Sequence, residues 1–337
     1  MICVIFGGQG DEYYVSLHSA SCVLRELEKN GCDLIKIGIT KDGKWYKTDA
    51  SYDEIERNLW QKNVEKLYID LENKCFTDEE KNKIRPSKIF TVMHGGFAEN
   101  GTLQGLFDLL ELKYVGSPRL SSALGYNKYL SKLIAKENGV PICDYALLRR
   151  SDLNDEDKIL DRARTLGYPL FVKPSESGSS FGITRVENGN NLMDAIRFAF
   201  EFSSSVLLEK AIVGKECEIA VLERDGEIIL SEVGALSYRS TFYDYETKYN
   251  DESVEYEIPA KIDTGCKNLI KKYARDIFLA LECRTLARID FFVTCDGSVI
   301  FNEINTIPGF TKSSMYPMLF FDRGLSFSHL TDLILAD

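Results

Sequence analysis

Leu286–Pro317 reads LARIDFFVTCDGSVIFNEINTIPGFTKSSMYP, and the fold turns on how it pairs with itself. Two runs of alternating, β-prone residues flank Asp296-Gly297, a dipeptide that marks a two-residue hairpin turn. With Cys295 opposite Ser298, Asp290 faces Glu303, Arg288 faces Asn305 and Phe292 faces Phe301. Strand side chains alternate between faces, so these six share one face while Phe291, Val293, Ile300 and Ile304 take the other. Like charges directly opposed on a sheet repel. Asp290 and Glu303 therefore ask for a cation, and their oxygen donors suit magnesium. A solvated face with an incidental acidic pair fits the same pattern, although two phenylalanines on that face argue against simple solvation.

A chain of 337 residues can bury a large core and is expected to form two or three subdomains. A net charge of −11 argues against nucleic acid or an anionic membrane as the main partner. It leaves nucleotides open, because a local cluster of Lys and Arg suffices for phosphate. The nine cysteines lack any metal-ligand spacing and read as small buried hydrophobes in a reducing compartment. The opening MICVIFGG has no signal-peptide pattern, and no stretch reaches the roughly 20 apolar residues of a membrane span. A cytoplasmic protein is expected.

Met1–Phe6 reads as a buried strand broken by Gly7-Gly8-Gln9-Gly10, with a helix over Val15–Glu28 and a second strand at Leu34–Ile39. That order opens a doubly wound α/β unit, although Tyr13 occupies the third glycine position of the dinucleotide fingerprint. Glu12 and His94 both fall at carboxyl ends of strands, where open sheets bind ligands; a lone His in such a place is more often structural than catalytic. Residues 40–85 are charged and irregular, with Trp45 and Trp60 as packing anchors. Ser121–Gly139 reads as one helix carrying Lys128. The loop Ser175–Gly182 (SESGSSFG), preceded by Lys173, joins two strands and so is not a Walker A loop. It reads as a flap over phosphate or as a flexible hairpin tip. Glu216–Glu223 alternates as a strand and turns at Asp225-Gly226. The aromatic-rich stretch Tyr238–Tyr256 reads as a lid. Ile262–Leu281 and Leu325–Leu335 read as helices.

The segments IFGGQGDEYYVSLHSA, HGGFAENGTLQG, FVKPSESGSSFG, LLEKAIVGKECEIAVL, FYDYETKY, ARIDFF and FNEINTIPGFTKSSMYP, in this order and spacing, resemble the D-alanine–D-alanine ligases of the ATP-grasp superfamily along nearly the whole chain. The resemblance implies an ATP-grasp fold of α/β and α+β class. An N-terminal doubly wound domain (1–120) is followed by two α+β subdomains that clamp ATP (121–207 and 208–337), with a lid loop at 237–256. It implies ligation of two D-alanines for peptidoglycan synthesis, with ATP and two magnesium ions (manganese able to substitute), D-alanine as the small-molecule substrate and a homodimer.

The resemblance also assigns roles. Lys128, Lys173 and Ser180 look like contacts to the ATP phosphates. Glu209, Lys210 and the backbone at Ile212 match the adenine-binding strand end, Glu216 the ribose acid, and Phe292 the apolar cover of adenine. Asp290, Glu303 and Asn305 match the ligands of two magnesium ions. Glu12 fits the acid for the first substrate's ammonium, with Val15, Ser16 and His94 around it. Ser179, Tyr249 and Glu12 resemble a hydrogen-bonded trio closing the lid. Arg288 and the N–H of Gly309 match the oxyanion donors, and Lys248, Ser314 and Met315 the second substrate's carboxylate site.

Lys248-Tyr249 is the dipeptide-forming pattern and argues against lactate as second substrate. Met315 and Tyr243 favour D-alanine over D-serine. Ala98, Asn100, Asn127 and Ser177 depart from the family's usual residues but remove no phosphate, metal or oxyanion contact. Two other readings stay open: another ATP-grasp carboxylate–amine ligase, and a nucleotide-binding regulator without turnover.

Overall fold

The computed structural model describes residues 1–10, 12–237 and 255–336. Near the N-terminus, strands Ile2–Gly7, Leu34–Ile39 and Lys88–Thr91 run parallel, with Ile2–Gly7 in the middle. Trp45–Thr48 and Val64–Lys66 extend the sheet antiparallel on one side. The continuous apolar run of Cys3–Phe6 is fully buried, as expected for a parallel strand covered on both faces. Helix Tyr13–Lys29 turns Leu17, Ala20, Val23, Leu24 and Leu27 inward at helical spacing. The chain can leave the strand here because Gly7 has φ +88° and lies so near Ile39 that a Cβ would meet its carbonyl oxygen at 2.2 Å. Trp60 is buried edge-on to Phe6, with ring centroids 5.3 Å apart, and Trp45 stacks on Phe76. Residues 40–85 are less irregular than their sequence suggests. They include a small sheet of Tyr68–Asp70, Cys75–Thr77 and Lys83–Ile84, whose two- and three-residue strands are too short to show alternation.

The single helix expected over Ser121–Gly139 is two, Arg119–Tyr126 and Lys128–Glu137. Asn127 breaks it, leaving helical geometry at ψ 102° and capping the second helix by accepting a hydrogen bond from the Leu130 N–H at 3.0 Å. Beyond it, Tyr145–Arg149, Leu170–Pro174, Thr184–Val186 and Ser205–Lys210 form an antiparallel sheet. Helices Glu156–Leu166 and Leu192–Ala199 cover it through Ile159, Ala163, Leu192, Ile196 and Ala199.

A third, five-stranded antiparallel sheet has Gly214–Arg224 at its centre, flanked by Glu227–Ser237 and Leu286–Thr294. Helix Thr264–Ala280 packs on one face. On the other, Met315–Phe321 and Phe327–Leu335 share a core with Leu17, Leu24 and Leu27 of the N-terminal helix. Among the described residues, no helix is long and apolar enough to cross a membrane.

The hairpin of Leu286–Thr294 and Val299–Asn305 departs from expectation in an instructive way. Asp225-Gly226 makes a two-residue turn, with Arg224 paired to Glu227 and φ +52° and +78° at the two turn residues. Asp296-Gly297 does not. There the ladder closes with the Thr294 N–H on the Ser298 carbonyl, leaving three residues in the loop, and only Gly297 takes a positive φ. The Asp296 carboxylate instead accepts hydrogen bonds from the Thr294 and Ser298 hydroxyls. The outer ladder is therefore offset by one residue, pairing Phe291 with Phe301 and Phe292 with Ile300. Asn302 is then an extra, bulged residue. Past it the expected register returns, with Asp290 opposite Glu303 and Arg288 opposite Asn305. As a correction, Phe301 joins Phe291 in the core, ring centroids 6.0 Å apart, and Ile300 takes the cavity side beside Phe292.

Candidate active site

A cavity of ≈ 1020 Å³ opens where the three large sheets converge, and nearly every candidate residue within the described chain lines it. Lys248, Tyr249, Tyr243 and most of the 237–256 lid loop lie outside the described residues.

On one wall, Asp290 is only 2 % exposed and faces Glu303 across the hairpin. Asn305 donates its amide to Asp290 at 3.1 Å. The Arg288 guanidinium grips Asp290 with two hydrogen bonds of 2.9 Å and stands 3.0 Å from Glu218. Glu218 pairs with Asp290 on the neighbouring strand, so three carboxylates lie across three adjacent strands. Burial opposes the Arg288 charge, but Asp290, Glu218 and Glu303 outweigh it and raise the guanidinium pKa. The donors offered by Asp290, Glu303 and Asn305 are oxygens, the set a hard divalent cation takes. Among the described residues no three His, Cys, Asp or Glu side chains converge on one ion position. The residues would supply a magnesium ion with only part of its oxygen ligands.

Two lysines enter from the opposite side. Lys128 donates to the Ser177 carbonyl at 2.7 Å and reaches Glu303 at 3.3 Å. Lys173 pairs with Glu209 at 2.7 Å, and Lys132 reaches the other oxygen of the same carboxylate at 3.3 Å. Burial alone pushes the Glu209 carboxyl up, yet the two ammonium groups hold it down at about 2. Burial likewise disfavours the Lys173 charge, and Glu209 reverses this, leaving its pKa raised. The Ser175–Gly182 loop, which takes the Lys128 ammonium on its Ser177 carbonyl, has Ser179 and Ser180 at φ +47° and +60°. Ser180 lines the cavity.

Lys210 and Ile212 line the far end together with Phe171 and Ile300. Glu216 pairs in register with Phe292, which brings both to that wall. Glu209, expected beside them at the adenine end, commits its carboxylate to Lys132 and Lys173.

The third wall belongs to the N-terminal sheet. Glu12 stands at the N-cap position of helix Tyr13–Lys29, and its carboxylate accepts a hydrogen bond from the Ser179 hydroxyl. Gly95 and Gly178 flank it; a Cβ on Gly95 would stand 2.8 Å from the Glu12 carboxylate. Val15 and His94 line the cavity, His94 lying within 3.2 Å of both the Ser19 hydroxyl and the Ile307 carbonyl. Ser16 does not line it. Its hydroxyl accepts from the Gly7 N–H and donates to the Val92 carbonyl, tying the ends of two neighbouring strands together. Gly309, Ser314 and Met315 close the cavity, with the Ser314 hydroxyl 3.1 Å from the Thr311 N–H. Lys312 anchors that loop to the N-terminal helix through Glu26 at 3.0 Å.

Of the four departures, Ala98 is buried in the N-terminal core, and Ser177 donates its hydroxyl to the Phe181 carbonyl at 2.8 Å. Asn100 accepts from the Thr102 N–H at 3.0 Å, and Asn127 donates to Glu176 at 2.8 Å. Three site residues escaped the sequence reading. Glu218 was within reach, since ECEIAVLE alternation puts it on the face of Glu216. Lys132 and Tyr126 look like ordinary helix residues. The Tyr126 hydroxyl, pushed up to about 12 by burial and by Glu99, accepts from the Gly96 N–H.

Residues 1–117 match the family description "D-ala D-ala ligase N-terminus" and residues 134–336 match "D-ala D-ala ligase C-terminus". The chain is 38 % identical to the D-alanine–D-alanine ligase of Acetivibrio thermocellus, over 99 % of this chain and 94 % of that one. It is 37 % identical to the Mycobacterium tuberculosis enzyme of the same name, over 98 % and 92 %. Among solved structures, it resembles the VanG D-Ala:D-Ser ligase of Enterococcus faecalis, with a TM-score of 0.91, 38 % identity and 99 % and 98 % coverage. It also resembles the D-alanyl-alanine synthetase A of Vibrio cholerae, with a TM-score of 0.86, 29 % identity and the same coverage.

Proposed function

The chain belongs to the D-alanine–D-alanine ligase family, and on that premise we propose that it joins two D-alanines into D-alanyl-D-alanine, with release of ADP and phosphate, for peptidoglycan synthesis in the cytoplasm. The observation that carries the proposal is one cavity with a carboxylate cluster, two largely buried lysines and an acid at a helix start on separate walls.

Glu12 holds the ammonium of the first D-alanine, and Ser179 fixes Glu12. A carboxylate oxygen of this D-alanine attacks the γ-phosphorus of ATP. The bond to the bridging oxygen of ADP breaks, leaving an acyl phosphate. Lys128, Lys173 and the loop around Ser180 hold the phosphates, while Lys210, Ile212, Glu216 and Phe292 hold the nucleoside. Asp290, Glu303 and Asn305 would hold two magnesium ions, which would supply positive charge to offset that of the phosphates. Excluding water is essential, because an acyl phosphate hydrolyses. The amine of the second D-alanine, seated by Ser314 and Met315 with Lys248, then attacks the carbonyl carbon. Arg288 and the Gly309 N–H receive the oxyanion. The intermediate collapses by expelling phosphate.

Likeness to a D-Ala:D-Ser ligase supports a second reading, in which D-serine is the second substrate. Met315 and Tyr243 favour D-alanine. Phosphate release with ATP and D-alanine alone, compared with added D-serine or D-lactate, separates them. Full release with D-alanine alone is expected. Release only after D-serine is added transfers the assignment to the second reading, and release with neither overturns both.

A further inference from the structure

Lys132 is the most deeply buried lysine among the described residues, at 1 % exposure, one helical turn from Lys128. Its ammonium makes two commitments. It donates to the carbonyl of Asn302 at 2.7 Å, and it pairs with Glu209, the partner of Lys173. It also lies over the Phe301 ring, 5.7 Å from the centroid. Asn302 is the bulged residue that returns the hairpin to the register in which Glu303 faces Asp290. Without the bulge, the outer register would run through the whole ladder and slip Glu303 by one position. A one-residue slip sends a strand side chain to the opposite face.

A charge this deep is retained only where it is paired and hydrogen-bonded. Helix Lys128–Glu137 is fixed at its start by the Asn127 cap, so Lys132 projects from a rigid element. We propose that Lys132 is a positioning residue. It holds the Asn302 bulge, which aligns the Asp290–Glu303 pair, and it shares Glu209 with Lys173, coupling the metal-binding hairpin to the phosphate lysine. Lys132 touches no reacting atom. This inference rests on the ligase reading for the roles of Asp290, Glu303 and Lys173.

The test uses the full chain and reads Mn²⁺ binding in the presence of ADP, from the electron paramagnetic resonance of free Mn²⁺, beside the D-alanine KM. Lys132→Met is expected to weaken Mn²⁺ binding by about tenfold or more while the D-alanine KM stays within about threefold. Lys132→Arg, which keeps the charge with altered geometry, is expected to fall between wild type and Lys132→Met. Unchanged Mn²⁺ affinity in Lys132→Met, or an equal rise in D-alanine KM, overturns the proposal. Should Lys132→Met fail to fold, Lys132→Arg decides by the same comparison. A wild-type chain that binds Mn²⁺ and ADP without D-alanine-dependent phosphate release would overturn the ligase reading, and the Mn²⁺ comparison would still judge Lys132.

Discussion

Arg288 clasps Asp290 through two hydrogen bonds of 2.9 Å, so the carboxylate suited to a metal ion also orients the guanidinium assigned to the oxyanion. Glu218, at 3.0 Å, holds the same guanidinium from the neighbouring strand. Asp290 thus links the proposed metal site to the proposed oxyanion donor. Arg288→Lys keeps the charge but loses the planar fork. It is expected to lower kcat by about 10²–10³, the cost of losing one oxyanion donor, while ADP binding is nearly preserved. Steady-state kinetics beside calorimetric ADP titration checks this; near-normal kcat would remove Arg288 from its role.

Asp290 and Glu303 face each other with no third acid completing an ion site among the described residues. In the proposed metal site, losing either carboxylate removes one of the few oxygen donors. Glu303→Gln is expected to raise the magnesium concentration for half-maximal turnover by roughly tenfold or more. A titration of rate against magnesium at saturating ATP and D-alanine reads it. An unmoved midpoint would remove Glu303 from the metal site.

Gly95 sits at φ +67°, and an added methyl would stand 2.8 Å from the Glu12 carboxylate. Gly95→Ala is expected to displace Glu12 and lower kcat/KM for D-alanine by roughly 10²-fold, a typical penalty for misplacing a catalytic contact by 1 Å. ATP binding, on other walls, should be unaffected. A comparable loss of ATP affinity would mean that the substitution disturbs more than the amino-acid site.

Glu209 titrates at about 2 in the folded chain, against an ordinary value of 4.5. A carboxyl whose folded pKa is depressed stabilises the fold above its unfolded pKa and loses that contribution as pH falls through the folded value. The stability gap between wild type and Glu209→Gln should therefore be widest above pH 4.5 and shrink between pH 4.5 and about 2. Thermal melts across that window measure it. A gap that stays constant would mean that the Lys132–Glu209–Lys173 charges contribute no stability.

Much of this was legible in the sequence because local chemistry carried it. The alternation that paired Asp290 with Glu303 and the glycines after Phe6 each report a constraint inside a short stretch. The acid pairing was reached through a two-residue turn that does not form, and it survives because the three-residue loop and the Asn302 bulge offset each other. The loop stems from Thr294 and Ser298 hydroxyls that engage Asp296, a competition invisible in the Asp-Gly dipeptide. Ser16 lines no wall because its hydroxyl joins strand ends 85 residues apart in sequence, from Gly7 to Val92. Lys132 was unreadable for the same reason. Both its partners, Glu209 and the Asn302 carbonyl, come from distant strands.

In the proposed reaction the first D-alanine is activated at its carboxylate by phosphoryl transfer before the second amine attacks. D-Alanine labelled with ¹⁸O in both carboxylate oxygens, incubated with ATP and magnesium, tests it directly by mass spectrometry of the products. One ¹⁸O is expected in the released phosphate for every D-alanyl-D-alanine formed, since the oxygen that attacks phosphorus leaves with it. Dipeptide accompanied by unlabelled phosphate would contradict it.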